Sequence, residues 1–136
     1  MDVEIFAICD AATASANEKI NVIGVFDIIQ SPTEPIVYPS CSLAIRIRFN
    51  ESEAGKTKAV RISIVDVDKN EVFPALTVNV EVPAPRYWSS SIVQIVAGIV
   101  PLRLPRFGEY QIDLAIDGQV AKSRPLIATQ QKPAAP

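Results

Sequence analysis

The sequence predicts an all-β domain, an antiparallel two-sheet β-sandwich of about eight strands. Three observations carry this. Tyr110, Ile112, Leu114 and Ile116 fall at every second position, the period of a strand with one buried face. Asp117-Gly118 follows at once, and Asp-Gly suits the positive φ of a tight hairpin turn. Short apolar runs separated by turn residues recur along the chain, with no helical period of useful length and no internal repeat.

The elements follow in order. Val3–Cys9 is short, β-branched and apolar, and reads as a strand. Asp10–Glu18, rich in Ala, Ser, Thr and Asn, reads as a surface loop or a single helical turn. Lys19–Ile29 is the second strand, with Gly24 marking a bulge or a close backbone approach. Ser31–Ser40 holds Pro32, Pro35 and Pro39 and reads as a loop crossing between sheets. Cys41–Phe49 alternates cleanly, Leu43, Ile45, Ile47 and Phe49 against Ala44, Arg46 and Arg48. Glu51–Lys56 is a polar turn, and Lys58–Val67 a strand with Val60, Ile62 and Ile64 inward. Asp66–Glu71 turns the chain, which returns through Val78, Val80 and Val82. Pro83–Ser90 is a loop; Ser91–Leu104 is extended and broken near Gly98. Glu109–Ile116 and Gln119–Thr129 close the domain. Gly108-Glu109-Tyr110 resembles the tyrosine corner of immunoglobulin-like sandwiches, where the hydroxyl ties a loop to its strand. An immunoglobulin-like architecture is therefore expected, with one domain over 1–129 and a flexible Pro/Ala tail over 130–136.

Composition excludes several classes. A net charge of −2 offers no basic stripe for nucleic acid. No apolar run reaches the ~18 residues that span a bilayer. The start, Met1-Asp2-Val3-Glu4, is acidic and unlike a signal peptide, so a cytoplasmic protein is expected. In that compartment Cys9 and Cys41 are expected as buried free thiols. Two cysteines without histidine cannot make an ordinary four-ligand zinc site.

The absence of histidine removes the commonest general base and both the Ser-His and Cys-His nucleophile pairs. No enzyme, no catalytic residue, no metal and no cofactor is expected. Gly55-Lys56-Thr57 matches the end of a phosphate-binding loop, but Asn50 stands where another glycine is needed and a strand follows, so it reads as a β-turn. Asp66-Val67-Asp68-Lys69-Asn70-Glu71 begins like a calcium loop but lacks the sixth-position glycine and the final Glu. Turn chemistry accounts for its Asp and Asn residues. Arg46 and Arg48, with Arg61 on the next strand, could form an anion patch. They read better as a solvated face paired with carboxylates such as Asp113 or Glu81.

A sandwich strand buries one face, so its other face should be polar. Three segments break this rule. Val3, Ile5, Ala7 and Cys9 oppose Phe6 and Ile8; Ile20, Val22, Phe26 and Ile28 oppose Ile23, Val25 and Ile29; Val93, Ile95, Ala97 and Ile99 oppose Ile92, Val96 and Gly98. Either the Ser31–Ser40 segment covers the surplus face or another chain does. Phe6, Ile8, Ile23 and Val25 are the expected interface, with a homo-oligomer or a protein as partner. Arg86, Tyr87 and Trp88 form an aromatic loop that either plugs the core or grips a ligand or partner.

Ile8-Cys9-Asp10-Ala11-Ala12, Lys19 to Asp27, Leu43 to Phe49, Gly108-Glu109-Tyr110 and Asp117-Gly118 together resemble an uncharacterised bacterial family of small β-proteins, a domain of unknown function. The resemblance covers nearly the whole chain and implies a bacterial, cytoplasmic β-domain without any activity to transfer. It also implies a glycine in the turn after Asp66 and Asp68, where this chain has Lys69-Asn70. The expected function is a non-enzymatic interaction or assembly domain acting through an apolar sheet face. The alternative is a small-ligand binder using end loops around Trp88 and Asp66/Asp68.

Overall fold

Alternating apolar residues and frequent turn signals produce strands throughout the computed structural model, which describes residues 1–15, 19–85 and 88–131. The strands are β1 (Asp2–Ala14), β2 (Ile20–Val25), β3 (Ile28–Ser31), β4 (Ile36–Tyr38), β5 (Cys41–Asn50), β6 (Thr57–Val65), β7 (Glu71–Glu81), β8 (Ser90–Ile99), β9 (Leu102–Leu104), β10 (Gly108–Ile116) and β11 (Gln119–Gln130). A 3-10 turn, Glu51–Glu53, sits between β5 and β6. The all-β expectation holds; among the described residues eleven strands replace about eight. The expected tail begins inside β11, which runs to Gln130, and its residues 132–136 lie outside the described residues.

Three sheets form. Their strand orders are β2-β1-β5-β8, β3-β11-β10-β6-β7 and β4-β9. The arrangement is more complex than two antiparallel sheets, because β3 runs parallel to β11. What read as one strand, Lys19–Ile29, is two strands in different sheets. Phe26 N donates to the Ile8 carbonyl (3.1 Å) and Ile127 N donates to the Asp27 carbonyl (2.7 Å), so the chain changes sheet between these two residues. Asp10–Glu18 was expected as a loop, yet β1 continues to Ala14 against β2. Ladder hydrogen bonds to β2 impose the strand there; alanine's weak β preference does not predict it. Similarly, the proline-rich Ser31–Ser40 segment hides the three-residue β4, paired with β9.

The core obeys the predicted alternation where strands are regular. Leu43, Ile45, Ile47 and Phe49 of β5, and Ile112 and Leu114 of β10, are all but fully buried in one cluster. Each such side chain contributes about 1.5–3 kcal/mol by leaving water. β1 departs from simple alternation. Its register with β5 shifts between Val3 and Ile5, leaving Glu4 as the extra residue, a β-bulge that re-aims side chains. Past it, Phe6 (6 % exposed) and Ile8 (2 %) enter the core.

That corrects the expected interface, which grouped Phe6 and Ile8 with Ile23 and Val25. The larger pair goes inward, while the smaller Ala7 and Cys9 take the opposite face. This second face is covered in part by the chain itself, though not by Ser31–Ser40, whose Ile36 joins the core. Instead the far end of the β1–β2 hairpin comes against β5 and β8. There Gln94 Nε2 donates to the Lys19 carbonyl (3.4 Å). Cys9 and Ala44 are fully buried.

Candidate functional site

β2 is an edge strand; among the described residues it is hydrogen-bonded only to β1. Val25 stands opposite Cys9 and Ile23 opposite Ala11. Directly opposed side chains share a sheet face, and these two neighbours are too small to cover a branched residue. Ile23 is accordingly 67 % exposed and Val25 62 %. No charged residue occurs in Ile20–Val25. Beside Val25 a shallow cavity of about 110 Å³ is lined by Ala7, Ile8, Phe26, Asp27, Arg124 and Pro125.

A polar latch holds this strip in place. Gly24 has φ +69°, and a Cβ there would strike the Asp10 carboxylate. Only glycine adopts this conformation at no steric cost. The freed space lets Asp10 accept a hydrogen bond from the Tyr38 hydroxyl. Tyr38 also packs on Phe26, with ring centroids 5.0 Å apart. The Asp10 hydrogen bond, assisted by burial, pushes the Tyr38 hydroxyl up to about 12. Thus β4 pins the turn from which β2 hands the chain to β3. The close backbone approach at Gly24 was legible in the sequence; Asp10, read as the start of a loop, and its partner Tyr38 were not.

The sandwich-end aromatic loop is only partly described, since Arg86 and Tyr87 lie outside the described residues. Trp88 does not plug the core. It is 96 % exposed, with φ +61°. Nor does the structure bring it to Asp66 and Asp68. Asp66 follows the end of β6, whereas Trp88 closely precedes Ser90, the partner of Asn50 at the end of β5, from which the Glu51–Glu53 turn leads into the start of β6. A nine-residue strand separates the two ends, roughly 30 Å at the usual rise.

The Asp66 turn is occupied by its own backbone. Asp66 Oδ1 accepts from Asp68 N (2.9 Å) and Asn70 N (3.0 Å). Lys69 takes φ +66° at this turn, a conformation that favours glycine. An adjoining concavity of about 290 Å³ is lined by Asp66, Asp68, Arg106, Phe107, Glu109 and Tyr110, among others. Among the described residues, no group of three or more Cys, Asp or Glu side chains is placed to hold a metal ion. The Gly55 turn likewise commits its amides internally: Gly55 N donates to Val82 O (2.8 Å) and Lys56 N to Glu53 O (3.2 Å).

The arginines are paired, though not with Asp113 or Glu81. The bulge turns Glu4 toward β5, where Arg46 Nε donates to Glu4 Oε1 (2.9 Å) and Arg48 Nε to Glu4 Oε2 (2.9 Å). Arg46 Nη1 reaches Gln94 (2.6 Å) and Arg48 Nη1 reaches Ser90 (2.8 Å). The Arg48 hydrogen bond, then Arg46, hold the Glu4 carboxyl below its ordinary range against the opposing effect of burial. Arg61 lies in the other sheet, paired with Glu71. Cys9 and Cys41 are free and buried. Burial pushes both thiols up, Cys41 to about 11, which makes them poor nucleophiles.

Residues 4–129 match the model of a Family of unknown function (DUF6941), and the chain belongs to that family. Comparison with curated proteins finds no match. Among the described residues no helix is long and apolar enough to cross a membrane.

Proposed function

We propose that this chain is a non-enzymatic interaction and assembly domain, built as an immunoglobulin-like two-sheet β-sandwich and working in the cytoplasm. The sandwich reading is supported by the tyrosine at the start of β10, whose hydroxyl bonds back to Arg106. It is supported too by one shared core drawn from both large sheets. Two buried thiols that remain unpaired suit a reducing compartment.

The single observation behind the assembly reading is the pair Ile23 and Val25, branched, adjacent on one face and mostly exposed on an uncharged edge strand. Apolar side chains grouped in this way favour contact with another protein surface. The partner is a second copy or another protein. The test is light scattering over a concentration series. A mass above the 14.8 kDa of one chain is expected, and Ile23→Asp with Val25→Asp should lower it. A constant monomer would count against self-assembly through this strip.

A further inference from the structure

Sheet edges invite pairing with other chains, and proteins blunt them with charge, proline, bulges or short strands. Two of the four edges of the two large sheets, β3 and β7, carry such a device. β3 is only four residues long. β2, six residues long, is interrupted by Gly24 at positive φ. β7 carries Pro74, begins and ends with Glu71 and Glu81, and shifts register twice against β6.

β8 carries none. Its ten residues, Ser90–Ile99, contain no charge and no proline. They pair with β5 residue for residue without a bulge, from Asn50↔Ser90 to Cys41↔Ile99. Among the described residues no backbone hydrogen bond ties its other side to any segment. The core face is apolar apart from Ser91, and the opposite face carries the branched Ile92 and Val96 between Ser90, Gln94 and Gly98. Val93, Ile95 and Ala97 pack on the core, while Ile92 and Val96 lie half-buried on the opposite face. Of its polar side chains, Gln94 bonds to Arg46 and to the Lys19 carbonyl, Ser90 bonds to Arg48, and the buried Ser91 hydroxyl has no hydrogen-bond partner among the described residues. This is the sequence of an interior strand in an edge position.

We propose that β8 pairs antiparallel with β8 of a second copy, giving one continuous sheet of eight strands across a two-fold axis. The occupant must be a strand, because unpaired backbone amides and carbonyls ask for a ladder and side chains on both faces ask for neighbours on both. A second copy fits because the strand is uncharged along its whole length. Self-pairing therefore sets no like charges against each other, and under an isologous two-fold the apolar core face meets its own kind. The inference rests on the assembly reading and names the partner and a second seam, distinct from Ile23 and Val25.

The experiment is analytical ultracentrifugation of the wild type, Val96→Lys, Ile92→Lys and the Ile23→Asp, Val25→Asp variant. Concentration-dependent amide exchange of the wild type is measured alongside. The expected result is that either lysine lowers the mass with the circular dichroism unchanged, and that alternate β8 amides slow about tenfold at high concentration. A mass lowered only by the aspartate variant, with β8 exchange independent of concentration, overturns the β8 seam and leaves the assembly reading standing. A wild-type monomer throughout overturns self-association at both seams. If a lysine variant unfolds, the wild-type exchange pattern alone decides.

Discussion

The Tyr110 hydroxyl donates to the Arg106 carbonyl at 2.6 Å and accepts from the Arg106 amide at 3.2 Å. One side chain thus satisfies both backbone groups of a loop residue four positions before it. It fixes how β10 enters its sheet beside β6 and β11. Tyr110 itself is 7 % exposed, so its ring serves the core while its hydroxyl serves the loop.

Tyr110→Phe keeps the ring and leaves two backbone groups of Arg106 without this partner. Losing a part-buried hydrogen bond costs about 1–3 kcal/mol. Urea denaturation should show a stability lower by that amount, seen as a lower midpoint at an unchanged slope. An unchanged midpoint would mean that water replaces the hydroxyl at no cost.

Glu4 makes the chain acid-sensitive. Its carboxyl is held low by Arg48 and Arg46, so its folded pKa lies under the unfolded value near ~4.3. A depressed carboxyl stabilises the fold above the unfolded pKa, and that contribution is lost as pH falls through the folded one. Glu4→Gln should cost about 1 kcal/mol at pH 7, and the gap to wild type should close below about pH 4. A difference that stays constant from pH 7 to pH 3 would contradict the charge account.

Gly24→Ala meets two obstacles, a positive φ and the Asp10 carboxylate. A loss of about 1–3 kcal/mol is expected. The steric share should shrink in an Asp10→Ala background, leaving the backbone share, so the two changes should be non-additive in thermal or urea melts. Strict additivity would show that Asp10 does not occupy the space beside Gly24.

How far the sequence could be read depends on where its period is undisturbed. β5 and β10 keep a period of two over their whole length, so their inward residues were legible, as were Tyr110 as a corner and Asp117-Gly118 as a turn with both residues at positive φ. β1 was misread because one extra residue, Glu4, changes which face follows, and a bulge leaves no mark in composition. The Phe26-Asp27 crossing was hidden for a related reason. An apolar run reads the same whether it stays in one sheet or passes to the next. Within the candidate site, Ile23 and Val25 were legible as surplus apolar residues, but Phe6 and Ile8 were placed with them wrongly. The latch from Tyr38 to Asp10 joins residues far apart in the chain, and no local pattern announces such a contact.

The most direct measurement replaces Ile23 with the photoreactive residue benzoylphenylalanine in the purified protein and, separately, Val120, which is 60 % exposed on the other large sheet. Irradiation at micromolar concentration should give a covalent dimer from position 23 and little from position 120. Equal yields from both positions, or none from position 23, would contradict self-assembly through β2.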